Sequence, residues 1–267
     1  MASARPLKAR QASLGRILSK NMMPIRLLVL DIDGVLSRVD GKALDLRLLE
    51  RLAEMNRAAL KGSSQPAVTI CTGRPAPYVE AILQAIDGHL PAIFENGAGL
   101  YFPDDYRFLS HPTLAAGTRF EAIRQRLEEA LVANGQALFQ PGKDYSLSLL
   151  ARDPSQTGIL YDQAINALGP LEEAVDLIYS ASCLNVLPRG IDKGKGIQFL
   201  ANQTDYVLGE MLGVGDSDVD LPFLALVGYS AAPANANLAV RQLVQYVAPR
   251  SAADGVRDVL DYFGLAS

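Results

Sequence analysis

Ile25-Arg26-Leu27-Leu28-Val29-Leu30-Asp31-Ile32-Asp33-Gly34 is the stretch that decides the fold. From Ile25 to Leu30 it is short, apolar and abruptly ended, which reads as a buried parallel strand rather than a helix. It stops on two carboxylates one residue apart, followed by glycine. The same arrangement recurs along the chain. Ala67 to Cys71 ends at Thr72-Gly73-Arg74-Pro75, Ala92 to Phe94 ends at Glu95-Asn96-Gly97, and Met211 to Val214 ends at Gly215-Asp216-Ser217-Asp218-Val219-Asp220. Between these runs, residues 45–60 put Leu48, Leu49, Leu52, Met55 and Ala59 on one helical stripe. A second helix runs from Tyr78 to Ile86, with Pro75 near its first turn, where a missing N–H is harmless. Strands alternating with helices predict an α/β fold, a parallel sheet with helices on both faces.

The pattern changes in the middle of the chain. A helix is expected from Thr118 to Ala133, stopped by Asn134-Gly135. Strands near 137–140 and 145–151 follow, then a helix near 160–168 and strands near 175–179 and 184–187. Helix-strand-strand, twice, predicts a small α+β module inserted into the core. The α/β pattern resumes with a helix opened by Lys193-Gly194, the strand 211–214, a short strand near 226–229, a helix from Ala236, a strand near 246–248 and a closing helix from Asp254. The expected division is therefore a core domain of residues 23–111 and 188–267, a module of 112–187, and a tail of 1–22.

Composition narrows the function. The chain has 267 residues, 49% of them hydrophobic and 20% charged, as in ordinary soluble globular proteins. Two cysteines, Cys71 and Cys183, are too few for a disulfide framework or a four-cysteine zinc site, and each reads as a small buried apolar residue. A net charge of −4 gives no broad positive field for nucleic acid. No apolar run nears the roughly 18 residues of a membrane span, so neither nucleic acid nor membrane is an expected partner. Residues 1–22 carry five basic and no acidic residues, leaving the rest at −9. This segment reads as a disordered tail of a cytoplasmic protein, with an organelle-targeting peptide as the alternative. A monomer or weak dimer is expected.

Ligands of open parallel sheets bind beyond the carboxyl ends of the strands. Asp31 with Asp33, Thr72-Gly73, and Asp216 with Asp220 all occupy such ends. Four carboxylates at one edge call for a hard cation; Mg²⁺ commonly takes one or two carboxylates together with substrate phosphate. Lys193 and Thr72-Gly73 stand at helix starts, where N–H groups and the dipole favour an anion. The edge reads as a site for a phosphate bridged to a metal. His89 and His111 pair with no nucleophile and read as surface residues.

At this point the sequence resembles the haloacid dehalogenase (HAD) superfamily of phosphohydrolases. Asp31-Ile32-Asp33-Gly34-Val35-Leu36 resembles its first motif, Thr72-Gly73-Arg74 its second, Lys193-Gly194 its third, and Gly215-Asp216-Ser217 with Asp220 its fourth, in that order. Glu95-Asn96-Gly97-Ala98, Asn235-Ala236 and Asp254-Gly255-Val256 resemble segments of the Cof-type branch, which includes relatives of sucrose-phosphate and phosphoglycolate phosphatases. Any one motif is weak; four in order, each at a strand end or helix start, are strong. The resemblance implies a Rossmann-like parallel-sheet core, with residues 112–187 as an α+β cap that closes over the site and sets specificity.

It also implies roles. Asp31 is the nucleophile that becomes an aspartyl phosphate, and Asp33 is the general acid and base. Asp31, the backbone carbonyl of Asp33 and Asp216 hold Mg²⁺. Ile32 N–H, Thr72, Gly73 N–H and Lys193 grip the phosphoryl oxygens. Asp220 orients Lys193 or a metal-bound water from behind. Val219 departs from the pattern, which usually has Asn there; Ser217, Asp218 and Asn235 are candidates to replace that contact. Arg74 either reaches substrate or pairs with a carboxylate. Lys143, Tyr145, Arg152 and Asn185 are the polar cap candidates for specificity. The expected activity is Mg²⁺-dependent hydrolysis of a small phosphate ester, a sugar phosphate foremost. A phosphotransferase or phosphomutase on the same scaffold, or a sugar-phosphate-binding protein without turnover, is the alternative.

Overall fold

The computed structural model describes residues 23–38, 42–116, 120–180 and 183–265. The basic segment 1–22 and the first residues of the helix expected from Thr118 lie outside the described residues.

Strand β1 (Leu27–Leu30) is central to a parallel sheet and wholly buried. Covered on both faces, it has no polar side to present, which is why its sequence is an unbroken apolar run. It pairs with β2 (Ala67–Ile70) on one side and with β10 (Met211–Val214) on the other. Beyond β10 lie β11 (Tyr229–Ala232) and β12 (Tyr246–Val247), giving the order β12-β11-β10-β1-β2. The chain leaves β1 in one direction and returns on its other side, so the sheet's switch point lies beside Asp31. Helices α1 (Leu46–Leu60) and α2 (Ala76–Ala85) cover one face. Helix α1 is capped by Asp45, whose carboxylate accepts from Leu48 N–H at 3.0 Å, and buries Leu48, Leu49, Leu52 and Met55. Helix α5 (Lys193–Gln203) packs on the other face through Ile197 and Leu200.

Two expectations are corrected. Strand β3 (Ala92–Phe94) touches β2 through a single parallel bridge, Cys71 with Ile93, and otherwise pairs antiparallel with β4 (Gly99–Phe102), which pairs with β5 (Arg107–Ser110). The hairpin of β4 and β5 was not foreseen. It follows from the turn after β3, where Glu95, Asn96 and Gly97 all take positive φ (47°, 57° and 102°) and reverse the chain. The strand expected near 226–229 is displaced to β11. Leu221–Leu224 is helical instead, and Phe223, Leu224 and Val227 pack over Gly213 of the sheet.

The inserted module carries its own sheet, β6 (Ala137–Phe139), β7 (Leu147–Ala151), β8 (Val175–Ser180) and β9 (Cys183–Pro188), in the antiparallel order β6-β7-β9-β8. Helices α3 (Phe120–Leu127) and α4 (Leu160–Leu168) lie on one face of it. After Leu127 the first of these loosens into a π-helical turn, Glu128–Val132. Leu127, Leu149, Leu160, Leu184 and Val186 form a core separate from that of the main sheet. Among the described residues, no helix is long and apolar enough to cross a membrane.

Candidate active site

The ends of β1, β2 and β10 and the start of α5 meet at one mouth. Asp31 follows β1, and its N–H continues the ladder to Val214 O at 3.0 Å. Lys193 opens α5 behind the N-cap Asp192, whose carboxylate accepts from Lys195 N–H at 2.8 Å. The Lys193 ammonium lies 2.9 Å from Asp31 Oδ1 and 2.6 Å from Asp220 Oδ1 and is 1% exposed. Asp220 Oδ2 accepts from the N–H groups of Asp216 and Ser217, both at 3.0 Å, and from the Ser217 hydroxyl. Both Asp220 oxygens are therefore committed, one to the ammonium and one to the loop that carries Asp216.

Asp216 approaches the backbone of Gly34 so closely that a Cβ there would sit 1.9 Å from its Oδ2, and Gly34 has φ +80°. Only glycine fits at that position. Asn235 donates to Gly34 O at 2.9 Å and to Asp216 Oδ2 at 3.2 Å, and its own carbonyl accepts from Ala252 N–H. Of the three residues considered in place of an amide at Val219, Asn235 is the one beside Asp216. Ser217 bonds to Asp220 instead, and Asp218 accepts from Asn237.

The carboxylates of Asp31, Asp216 and Asp220 offer oxygens within 4.8 Å of one another. Burial, then the neighbouring acids Asp220 and Asp31, push Asp216 up to about 8. Burial pushes Asp31 up to about 7 against the pull of Lys193. Burial also opposes the charge on Lys193, but Asp220 and Asp31 outweigh it and hold the ammonium above its ordinary range. One lysine thus faces three crowded carboxylates, and an oxygen-only donor set of this kind suits a hard divalent cation such as Mg²⁺. The Asp33 side chain lies apart from that cluster. Both its oxygens accept from Arg74, at 2.6 and 2.7 Å, so Arg74 pairs with a carboxylate.

Thr72 and Gly73 line the same pocket, about 210 Å³ in volume, with Asp31, Asp33, Lys193, Asp216 and Val219. So do residues that sequence reasoning did not pick out: Asn96, Gln140, Ser148 and Cys183. Asn96 is 1% exposed, and neither its Nδ2 nor its Oδ1 has a hydrogen-bond partner among the described residues. Its neighbour Glu95 points the other way and binds the cap. The Glu95 carboxylate accepts from the N–H groups of Asp144, Tyr145 and Ser146 at 2.9, 3.0 and 2.7 Å, and from the Ser146 hydroxyl at 2.8 Å. Of the four cap candidates, Lys143 and Asn185 line the pocket. Arg152 is exposed, and Tyr145 packs against Phe94. Cys71 is buried with its thiol pushed up by desolvation, as expected of an inert core residue. The two histidines are half-buried rather than surface residues, and His111 packs edge-on to Phe199.

Comparison with known proteins agrees with this geometry. The pattern that defines haloacid dehalogenase-like hydrolases matches residues 163–260. A phosphoglycolate phosphatase of Methanobrevibacter smithii is 24% identical over 238 residues, covering 88% of this chain and 100% of that protein. One from Halorubrum lacusprofundi is 29% identical over 234 residues, covering 87% and 95%. Among solved structures, a Thermoplasma acidophilum protein superposes with a TM-score of 0.70 at 21% identity, covering 91% of this chain and 100% of the other. The sucrose-phosphatase of Synechocystis, solved with sucrose and phosphate, superposes with a TM-score of 0.66 at 19% identity, covering 92% and 100%. These two share the fold. Relatives match along most of this chain's length and the family pattern matches its C-terminal part, so the chain is similar to haloacid dehalogenase-like hydrolases, phosphoglycolate phosphatases among them.

Proposed function

We propose that the protein is a Mg²⁺-dependent phosphomonoesterase that hydrolyses a small phosphorylated metabolite through an aspartyl phosphate on Asp31. The observation that carries this reading is the Asp31–Lys193–Asp220 chain of contacts with Asp216 beside it, drawn from segments nearly two hundred residues apart. In the proposed reaction an Asp31 oxygen attacks phosphorus and the P–O bond to the alcohol breaks. Asp33 gives the departing oxygen its proton. It then takes a proton from the water that attacks the aspartyl phosphate, which frees Asp31 and inorganic phosphate. Arg74 now holds both Asp33 oxygens, so one of those bonds opens for each proton transfer.

Lys193, the Thr72 hydroxyl and the N–H groups of Ile32 and Gly73 receive the phosphoryl oxygens. Lys193 is already fixed by two carboxylates, so little reorganisation accompanies the build-up of charge. Asp31, Asp216 and the Asp33 carbonyl would hold Mg²⁺, which when bound offsets the clustered negative charge and polarises the phosphoryl group. The pocket is smaller than the roughly 300–1,000 Å³ of sites for drug-sized ligands, which supports a short substrate. A sugar phosphate, and phosphoglycolate, the compound in the archaeal relatives' names, are the first two to test.

The test is phosphate release from a panel of hexose phosphates, phosphoglycolate and sucrose phosphate with Mg²⁺. Turnover that EDTA abolishes and that Asp31→Asn lacks is the expected result. Mg²⁺-independent turnover, or full activity in Asp31→Asn, contradicts it. Transfer of the phosphoryl group to an added sugar, in place of release to water, points to the phosphotransferase.

A further inference from the structure

We propose that Lys143, together with Ser148, Asn185 and Gln140, forms a cap subsite for a second anionic group on the substrate, carried by the leaving alcohol a few bonds from the phosphate. This rests on the hydrolase reading above and narrows its substrate class. Lys143 is 5% exposed and lines the pocket. The Ser148 hydroxyl is the acceptor it meets among the described residues, and that hydroxyl donates onward to Asn185 Oδ1 at 2.7 Å. No acidic side chain among the described residues lies within ion-pair distance of Lys143. An ammonium has three N–H groups to satisfy, and a buried one without a counter-charge is costly. Burial is also the largest influence on its pKa, which falls below the ordinary lysine range, with Glu95 the main opposing charge.

The core side differs. There Lys193 has two carboxylates of its own and the catalytic groups stand round it. Lys143 lines the same space from the cap side with no ion pair among the described residues and only Glu95 as a main opposing charge. Its electrostatic complement is an anion brought by the ligand. Ser148, Asn185 and Gln140 add hydrogen-bonding groups suited to carboxylate or phosphoryl oxygens. The small pocket favours a carboxylate on a short carbon chain, that is, a phosphorylated hydroxy acid.

The experiment compares kcat/KM for three esters: a phosphorylated hydroxy acid, a bisphosphate of similar length, and a neutral alcohol phosphate of the same length. The protein should prefer one of the two dianionic-plus-anionic esters by on the order of 10- to 100-fold. In Lys143→Met that preference should fall at least about tenfold, while Lys143→Arg should retain part of it. No preference in the unmodified protein, or an equal loss on all three esters in Lys143→Met, overturns the proposal. Ser148→Ala, which removes the group that fixes the ammonium, should erode the same ratio if Lys143→Met does not fold.

Calorimetric binding of phosphonate analogues with and without the carboxylate separates this proposal from the catalytic one. A carboxylate-dependent affinity lost in Lys143→Met, without turnover of any ester, sustains the subsite and refutes the hydrolase. Turnover without such an affinity does the reverse.

Discussion

On the core side of the pocket, Asp31, Asp216 and Asp220 crowd around one buried ammonium; on the cap side, Lys143 meets the Ser148 hydroxyl, which donates onward to Asn185, and among the described residues forms no ion pair with a carboxylate. Each wall carries a buried lysine, but they do different things. Lys193 is an internal counter-ion that makes a cluster of acids tolerable, and its removal is felt by the protein itself. Lys143 is left for something from outside. Burial alone does not tell a structural charge from a functional one; the inventory of its partners does.

The sharpest way to break this contrast is to remove the nucleophile. Asp31→Asn should lower kcat by about four orders of magnitude or more while leaving a folded protein, since it deletes a buried charge from an acidic cluster. Circular dichroism and phosphate release check both halves. Next is Lys193→Met, which strands Asp31 and Asp220 without their cation. Breaking a buried pair from one side costs about 3–5 kcal/mol, so urea denaturation should show a fall of that size, together with loss of activity. A change under about 1 kcal/mol would mean that the acidic cluster does not depend on the core lysine as its counter-ion.

Glu95→Gln tests the joint between the walls. One oxygen of the carboxylate becomes a donor facing backbone N–H groups, at a cost of about 1–3 kcal/mol. Hydrogen exchange at residues 144–146 should accelerate selectively, and unchanged protection there would show that the contact does not hold the cap loop.

The smallest effect expected is in pH. Asp31 and Asp216 ordinarily titrate at 3.8 but are raised to about 7 and about 8. The folded, metal-free protein therefore binds protons that the unfolded chain releases. This stabilisation is complete below about pH 4 and is lost as pH rises through about 7 to 8. Mg²⁺ needs the ionised forms, so its binding displaces those protons. The rise in Tm on adding Mg²⁺ should be greater at about pH 8.5 than at about pH 6, by a few degrees. A larger rise at the lower pH would separate the acidic cluster from metal binding.

Legibility in the sequence divides along the same line. The core groups stand where an apolar strand stops or a helix begins, and that transition is written within two or three residues: Leu30 then Asp31, Cys71 then Thr72, Val214-Gly215 then Asp216. The order of the four motifs did the rest. Ser148 and Asn185 sit inside cap strands β7 and β9, paired to each other in the register. Which face they present depends on how that sheet docks on the core, a long-range fact that no local pattern carries. Lys143 and Asn185 were named as candidates, but so were Arg152 and Tyr145, which do not line the pocket. The hairpin of β4 and β5 was missed because its strands are four residues each and the turn before them begins with positive φ at Glu95, a residue type that rarely adopts it. The displacement of β11 has a similar cause: Leu224 and Val227 are as apolar as strand residues but pack from a short helix and its exit.

The turn at Glu95 and Asn96 has a mechanical consequence. Two adjacent residues, both in the left-handed region, send one side chain up to the cap loop and leave the other beside Gly73, where a Cβ would be 3.0 Å from its amide. The peptide between them cannot rotate without moving both. The hold of Glu95 on the cap loop and the place of Asn96 beside Gly73 are therefore fixed by one and the same peptide unit.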